Sequence, residues 1–367
     1  MINVGSDFSG VGAFNQALMR LGIEYNEVFA CDMDKYARET FIHNYGEPKY
    51  YPKDVYEREI PKESLDIYMT SPPCQAFSLA GKRLGKEDKR GVLFFNSHEF
   101  IKKNKPRYFI FENVKGLLSD NNGNTFKEWV NMLGGKSVNG LPVLFAYEDS
   151  VPYHIYYKVM NAKKHGVPQN RERVFIIGIR DDQDNHFRWA KEEHLTKRLK
   201  DVIECKVDEK YFLSKKLING FLAHNKRHIE EKNQTGFNWK PKNKNDTATC
   251  LRASACLCPT DNTIEIKSAT KKGYEEATEG DSINFSVPNS ETRRGRVGKG
   301  VAQTLDTQCN QAVLQDRIRR LTPRECFRLM DFPDTFSWTC SDSQAYKQAG
   351  NSIVVRCLEL IIKQFNL

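Results

Sequence analysis

Apolar and polar positions along the first half of the chain alternate between two textures. Ile2 to Phe8 reads as a strand, and Phe14 to Leu21 carries the periodicity of a helix closed by Gly22. Glu27 to Cys31 reads as the next strand, followed by a helix from Met33 to Tyr45 that stops at Gly46. Further strands are expected at Asp66 to Thr70, Arg107 to Glu112, Tyr153 to Val159 and Val174 to Ile179. Strands interleaved with helices predict an α/β fold, a mostly parallel sheet with helices on both faces. Ligands of such sheets bind beyond the carboxyl ends of the strands, so each strand end is a place to look for chemistry.

The texture changes after about Asp181. Residues 182–313 are rich in Lys, Asn, Thr and Gly, with few long apolar runs, and include Lys240 to Asp246 and Glu291 to Gly300. A solvated insertion would have that composition. Phe212, Trp239, Phe285 and β-branched clusters favour a smaller second domain with long loops. From Arg317 onward, helical periodicity is expected to return through the end of the chain.

Composition adds bounds. With 367 residues, 39% of them hydrophobic, the chain can bury one large core or two unequal ones. Its 56 Lys and Arg outnumber 47 Asp and Glu, a net charge of +9 that suits a polyanion without specifying one. No stretch approaches the ~20 apolar residues of a membrane span, and the start MINVGSDFSG lacks the pattern of a secretory signal. A cytoplasmic protein is expected, with its 10 cysteines as reduced thiols. Cys250, Cys256 and Cys258 lack paired C-x-x-C spacing and a nearby His, so no metal site is expected there.

Candidate chemistry sits at the strand ends. The first strand runs into Phe8-Ser9-Gly10-Val11-Gly12, where glycines let a ligand approach the backbone. The second ends at Asp32, followed by Asp34; a carboxylate there can accept hydrogen bonds from a ribose but would repel a phosphate. Ser71-Pro72-Pro73-Cys74-Gln75 follows the third strand, with two prolines fixing the direction of a cysteine. Such a thiol needs help to ionise at neutral pH. Residues 76–95 then hold Gly81, Gly85 and Gly91 among five Lys or Arg residues, the composition of a mobile basic loop. A fourth strand ends at Glu112, placed to hold a proton if buried, and Gln169-Asn170-Arg171-Glu172-Arg173 leads into another strand with arginines at alternate positions. Each block alone also reads as an ordinary turn, surface Glu or salt-bridged strand entrance.

In this order, and continued by Arg320-Leu321-Thr322-Pro323-Arg324-Glu325-Cys326 and Gln348-Ala349-Gly350-Asn351-Ser352, the blocks closely resemble the DNA cytosine-5 methyltransferase family. The resemblance covers residues 1–180 and 317–367. It implies a Rossmann-like class I methyltransferase domain made of residues 1–185 and 323–367, with residues 186–322 as a smaller, irregular target-recognition domain. It further implies S-adenosyl-L-methionine as cofactor, S-adenosyl-L-homocysteine as product, and double-stranded DNA as partner. Cys74 would add to carbon 6 of a flipped-out cytosine, Glu112 would protonate or hydrogen-bond ring nitrogen 3, and Arg171 and Arg173 would hold the base, Arg173 most directly. Phe8, Gly10, Val11, Asp32, Met33, Asp54, Val55, Pro73, Leu93, Asn351 and Ser352 would line the cofactor pocket. Gln75, Ser78, Arg293, Arg294, Arg296 and the Thr304-Leu305 pair would face DNA, with Thr249 to Leu251 a weaker rival for that pair.

Two departures stand out. The family often has an acidic residue two places before the Phe of the first block, where this chain has Ser6 with Asp7 beside it. Its ribose contact is usually Glu, and here it is the shorter Asp32. The short length favours a bacterial or phage enzyme; a monomer is expected, and a cognate restriction endonuclease in the same system is a partner these residues leave open. Two other readings share these blocks: a tRNA cytosine-5 methyltransferase, and a silent DNA-binding homologue. The latter would have no need of Cys74, Glu112 and Arg173 together.

Overall fold

The apolar runs at the start of the chain pair with one another. The computed structural model describes residues 1–72, 92–198, 201–212, 237–238, 264–267, 274–277, 280–284, 295–306, 311–315 and 317–367. In it β1 (Ile2–Asp7), β2 (Tyr25–Cys31), β3 (Ile67–Thr70) and β4 (Tyr108–Val114) form a parallel set in the order β2-β1-β3-β4. Helices α1 (Ala13–Arg20), α2 (Lys35–Tyr45) and α3 (Val92–Asn104) make the crossovers, and α4 (Asn124–Leu133) follows β4. All four residues of β3 are buried, as a strand covered on both faces requires. Asp34 caps α2 by accepting the Tyr36 and Ala37 N–H groups, which starts that helix two residues later than Met33. The glycine- and lysine-rich segment ends sooner than its composition predicts, because α3 already begins at Val92.

The sheet continues beyond β4 through β9 (Glu172–Arg180), β7 (Tyr153–Asn161), β5 (Ser137–Val138) and β6 (Leu141–Pro142). β9 runs antiparallel to both β4 and β7. That reversal brings the first residues of β9 to the edge where β1, β3 and β4 end. Arg173 stands opposite Val114, and Phe175 opposite Glu112.

The end of the chain differs from expectation at one point. Arg317–Arg320 is extended (β17), and helix returns only at α5 (Pro323–Leu329), which Thr322 and Glu325 open with a reciprocal capping box. α6 (Asp342–Asn351) and α7 (Val355–Ile362) follow. Val355, Leu358, Ile361 and Ile362 of α7 share one core with Phe14 and Leu18 of α1 and with Val4, Ile110 and Ile177 of the sheet. Each such aliphatic side chain contributes about 1.5–3 kcal/mol when fully buried. Phe365 stacks on Tyr108 with ring centroids 4.4 Å apart, and Arg20 bridges to Asp331 and Glu359. The last helices therefore cover the α1 face of the sheet.

Between β9 and α5 the strands among the described residues are short. β10 (Phe237–Asn238), β11 (Ile264–Lys267) and β12 (Tyr274–Ala277) form one antiparallel sheet. β13 (Ser282–Asn284), β14 (Val297–Gly298), β16 (Gln311–Gln315) and β17 form another in the order β14-β13-β16-β17. β15 (Ala302–Gln303) leaves these sheets and pairs in parallel with β8 (Gln169–Asn170). Among the described residues, no helix is long and apolar enough to cross a membrane.

Candidate active site

The turn after β1 is shaped by backbone that glycine favours. Phe8 itself has φ +56°, and Gly10 and Gly12 have φ +55° and +83°. Gly12 N–H donates to Ser9 O at 3.1 Å and starts α1. A Cβ at Gly12 would stand 2.2 Å from the Tyr45 ring, whereas one at Gly10 would meet nothing nearer than Phe8 O at 4.0 Å. The space above Gly10 is open.

Asp32, at the end of β2, ties into this turn. One carboxylate oxygen accepts the Gly10 N–H and the other the Asp34 N–H, each at 2.8 Å. Burial pushes the Asp32 carboxyl above its usual range, against the pull of those two donors. Met33, beside it, is 81% exposed. Phe8, Val55 and Leu93 belong to a second apolar cluster on the other face of the sheet from α1, while Val11 is buried with α1. Asp54 accepts the Tyr56 N–H at 2.9 Å. Ser352 is buried at the end of α6, and Asn351 is exposed. Lys347 pairs with Asp34, and Gln348 accepts the Thr40 hydroxyl at 3.2 Å, so α6 lies against α2. An open glycine turn, an anchored carboxylate and an exposed apolar side chain together fit a nucleoside whose ribose is not phosphorylated. Pro73 lies outside the described residues.

The second half of the site is charged. Glu112 is buried, and Arg173 Nε lies 3.1 Å from its Oε1. The two are same-face diagonal neighbours across the β4–β9 pair, a reach that a long side chain can span. Burial raises the Glu112 pKa, while Arg173 and Arg171 pull it down; burial prevails. Asn113 Nδ2 donates to Pro72 O at 3.1 Å. The strand end bearing Glu112 is thus bonded to the chain leading into Pro73-Cys74. Cys74, Gln75 and Ser78 lie outside the described residues.

Arg171 is placed differently from its neighbour. It is buried, with Nη1 donating to Leu305 O at 3.2 Å and Nη2 to Gly350 O and Ser352 O at 2.9 and 2.8 Å. Its Nε is buried without an acceptor among the described residues. Burial, then the adjacent Arg173 charge, lower its pKa. Gln169 accepts the Leu305 N–H at 3.2 Å and donates to Leu329 O at 2.6 Å, and the Thr304 hydroxyl donates to Asn170 O at 2.7 Å. The sequence pattern gave no sign of this grip on residues 304–305. Of the arginines expected to face DNA, Arg296 is buried at 3% exposure, and Arg293 and Arg294 lie outside the described residues, as do Thr249 to Leu251. Cys250, Cys256 and Cys258 also lie outside them; among the described residues no cluster of metal-ligating side chains occurs.

The glycine turn after β1, the acidic end of β2 and the β4–β9 reversal define a class I methyltransferase fold. Residues 2–366 match the family of C-5 cytosine-specific DNA methylases, and the chain belongs to that family. Orphan methyltransferase M.SPRI of Bacillus phage SPR is 32% identical, over 99% of this chain and 97% of the phage protein. Type II methyltransferase M.HpaII of Haemophilus parainfluenzae is 32% identical over 96% of this chain and 86% of its own length. Among solved structures, Spodoptera frugiperda DNMT2 superimposes with a TM-score of 0.61 at 18% identity, covering 99% of both chains, a likeness of fold.

Proposed function

We propose that this protein transfers a methyl group from S-adenosyl-L-methionine to carbon 5 of a flipped-out cytosine in a specific duplex DNA sequence. The observation that carries the reading is the convergence on one sheet edge of the Glu112–Arg173 pair and, through Asn113, of the Pro72 carbonyl just before Cys74. Cys74 is the nucleophile toward carbon 6, Glu112 holds a proton or hydrogen bond at ring nitrogen 3, and Arg173 grips the base while fixing Glu112. Burial of Glu112 shifts its carboxyl toward the acid form, against the pull of Arg173 and Arg171. A stacked cytosine hides carbon 6, so the base leaves the helix at a cost of a few kcal/mol.

The cofactor supplies an electrophilic methyl on a sulfonium. Phe8, Gly10, Val11 and Asp32 hold its nucleoside end, with Asp32 accepting from the ribose and Met33 covering the adenine. Asp54, Val55, Pro73, Leu93, Asn351 and Ser352 complete that pocket. Residues 1–185 and 323–367 act as one catalytic unit. Residues 186–322 read the DNA, with Thr304-Leu305 at the junction and Gln75, Ser78, Arg293 and Arg294 contributing on the DNA side; Arg296, expected there too, is buried and supports the fold instead. The protein works in the bacterial or phage-infected cytoplasm as a monomer, with or without a companion endonuclease.

The test supplies labelled cofactor separately with duplex DNA and with tRNA, followed by bisulfite sequencing of the DNA. Label on DNA, at carbon 5 of cytosine within one sequence, is expected. Label on tRNA alone, or on neither, would overturn the reading. Cys74→Ala should abolish transfer while leaving DNA binding in place, and normal turnover by that variant would refute the nucleophile.

A further inference from the structure

The carboxylate of Asp7 is buried against Arg58 and Tyr68. In a strand successive side chains point to opposite faces. Ser6 and Asp7 therefore diverge, and Asp7 enters the α3 side of the sheet with its side chain fully enclosed. Arg58, 2% exposed in its side chain, meets it with a two-pronged bond, Nε to Oδ1 and Nη2 to Oδ2, both 2.9 Å. The Tyr68 hydroxyl donates to the same Asp7 Oδ2 at 2.6 Å. Arg58 Nη2 also donates to Asn96 Oδ1 at 2.8 Å, and Asn96 Nδ2 returns to Val55 O at 3.0 Å. The guanidinium lies over the Phe100 ring, 4.4 Å from its centroid.

This ring of bonds joins three segments of the proposed site. Asp7 immediately precedes Phe8, Val55 lies in the segment after β2, and Asn96 is in the first turns of α3, which follows the Cys74 segment in sequence. Replacing a buried ion pair by apolar groups of similar volume is often neutral or stabilising. Stability alone therefore gives no reason to keep such a pair here. The planar fork of an arginine does something an apolar plug cannot, since it fixes the direction of two partners at once.

We propose that Arg58 is a positioning residue for the cofactor pocket, setting the Phe8 turn, the Asp54-Val55 segment and the start of α3 at fixed relative positions through Asp7 and Asn96. The inference rests on the cofactor reading above.

The experiment measures S-adenosyl-L-homocysteine binding by calorimetry, and thermal unfolding, for the wild type, Arg58→Lys and the triple variant Asp7→Leu/Arg58→Met/Tyr68→Phe. The triple variant removes the charges as a set, so no ion is left buried alone. It should unfold at or near the wild-type temperature yet bind S-adenosyl-L-homocysteine at least about tenfold more weakly. Arg58→Lys keeps the charge but loses the fork, and should also bind weakly while folded. If either folded variant binds within about twofold of the wild type, Arg58 only stabilises the fold and the proposal falls. If the triple variant does not fold, Arg58→Lys decides by the same criterion. Wild-type protein that binds no S-adenosyl-L-homocysteine would instead remove the cofactor reading itself, and this assignment with it.

Discussion

Arg171→Met removes a guanidinium and keeps an unbranched side chain in its place. Three donated bonds disappear, to the carbonyls of Leu305, Gly350 and Ser352. A bond from a charged donor contributes about 1.5–3 kcal/mol, and a buried carbonyl left without a donor costs about 1–3 kcal/mol. These figures are not additive, and losing a buried charge recovers part of its desolvation. Glu112 keeps Arg173 at 3.1 Å, so no buried carboxylate is stranded. The net loss should be about 3–5 kcal/mol. Urea unfolding at constant pH reads that number. Native-state hydrogen exchange reads its location, since protection should fall first at residues 302–305 and 350–352 and later in β3 and β4. A loss below about 1 kcal/mol would refute the claim that Arg171 holds these segments together. So would faster exchange spread evenly over the sheet.

Two further outcomes follow from groups beside the glycine turn. Gly12→Ala puts a Cβ at φ +83° and 2.2 Å from the Tyr45 ring, so it should destabilise the fold by about 2–4 kcal/mol and weaken S-adenosyl-L-homocysteine binding; an unchanged melting temperature would refute it. Glu27, which accepts from Asn15 Nδ2 at 2.9 Å, has its carboxyl pushed up to about 7 by burial. The folded protein then retains a proton that the unfolded chain has released, so stability falls as pH rises from about 4.5 to about 7. The fall is at most about 3 kcal/mol, reduced by the solvent that reaches this half-buried side chain. Glu27→Gln should flatten the denaturation midpoint across that window, and a slope equal to that of the wild type would count against it.

Much of the fold could be read from the residues because strands and turns leave local marks. Apolar runs bounded by Gly and Pro located β1 to β4 within a residue or two. Strand direction leaves no such mark. The run Val174 to Ile179 would look the same in either orientation, and only the pairing with β4 shows that it is reversed. Arg317–Arg320 carries a helical pattern in sequence but is extended, because pairing with β16 overrides a short basic run. Glu112 and Arg173 stood out by their motifs, and the structure brings them together. Arg58 had no motif around it. The one available signal was Asp7, a carboxylate in an apolar strand that had to find a buried partner. Arg171 and Arg173 look alike in sequence. Their different surroundings depend on Leu305 and Gly350, 134 and 179 residues away in the chain.

The socket formed by Pro168, Gln169, Asn170 and Arg171 grips its guest mainly through the guest's main-chain atoms. It takes the N–H and carbonyl of Leu305 and the N–H of Ala302, which donates to Pro168 O at 2.8 Å, with Thr304 supplying one hydroxyl. A holder that reads backbone is largely indifferent to the side chains it holds. The chain before residue 302 could thus vary in sequence without disturbing this junction, provided it re-enters as a short strand with a hydroxyl at its end.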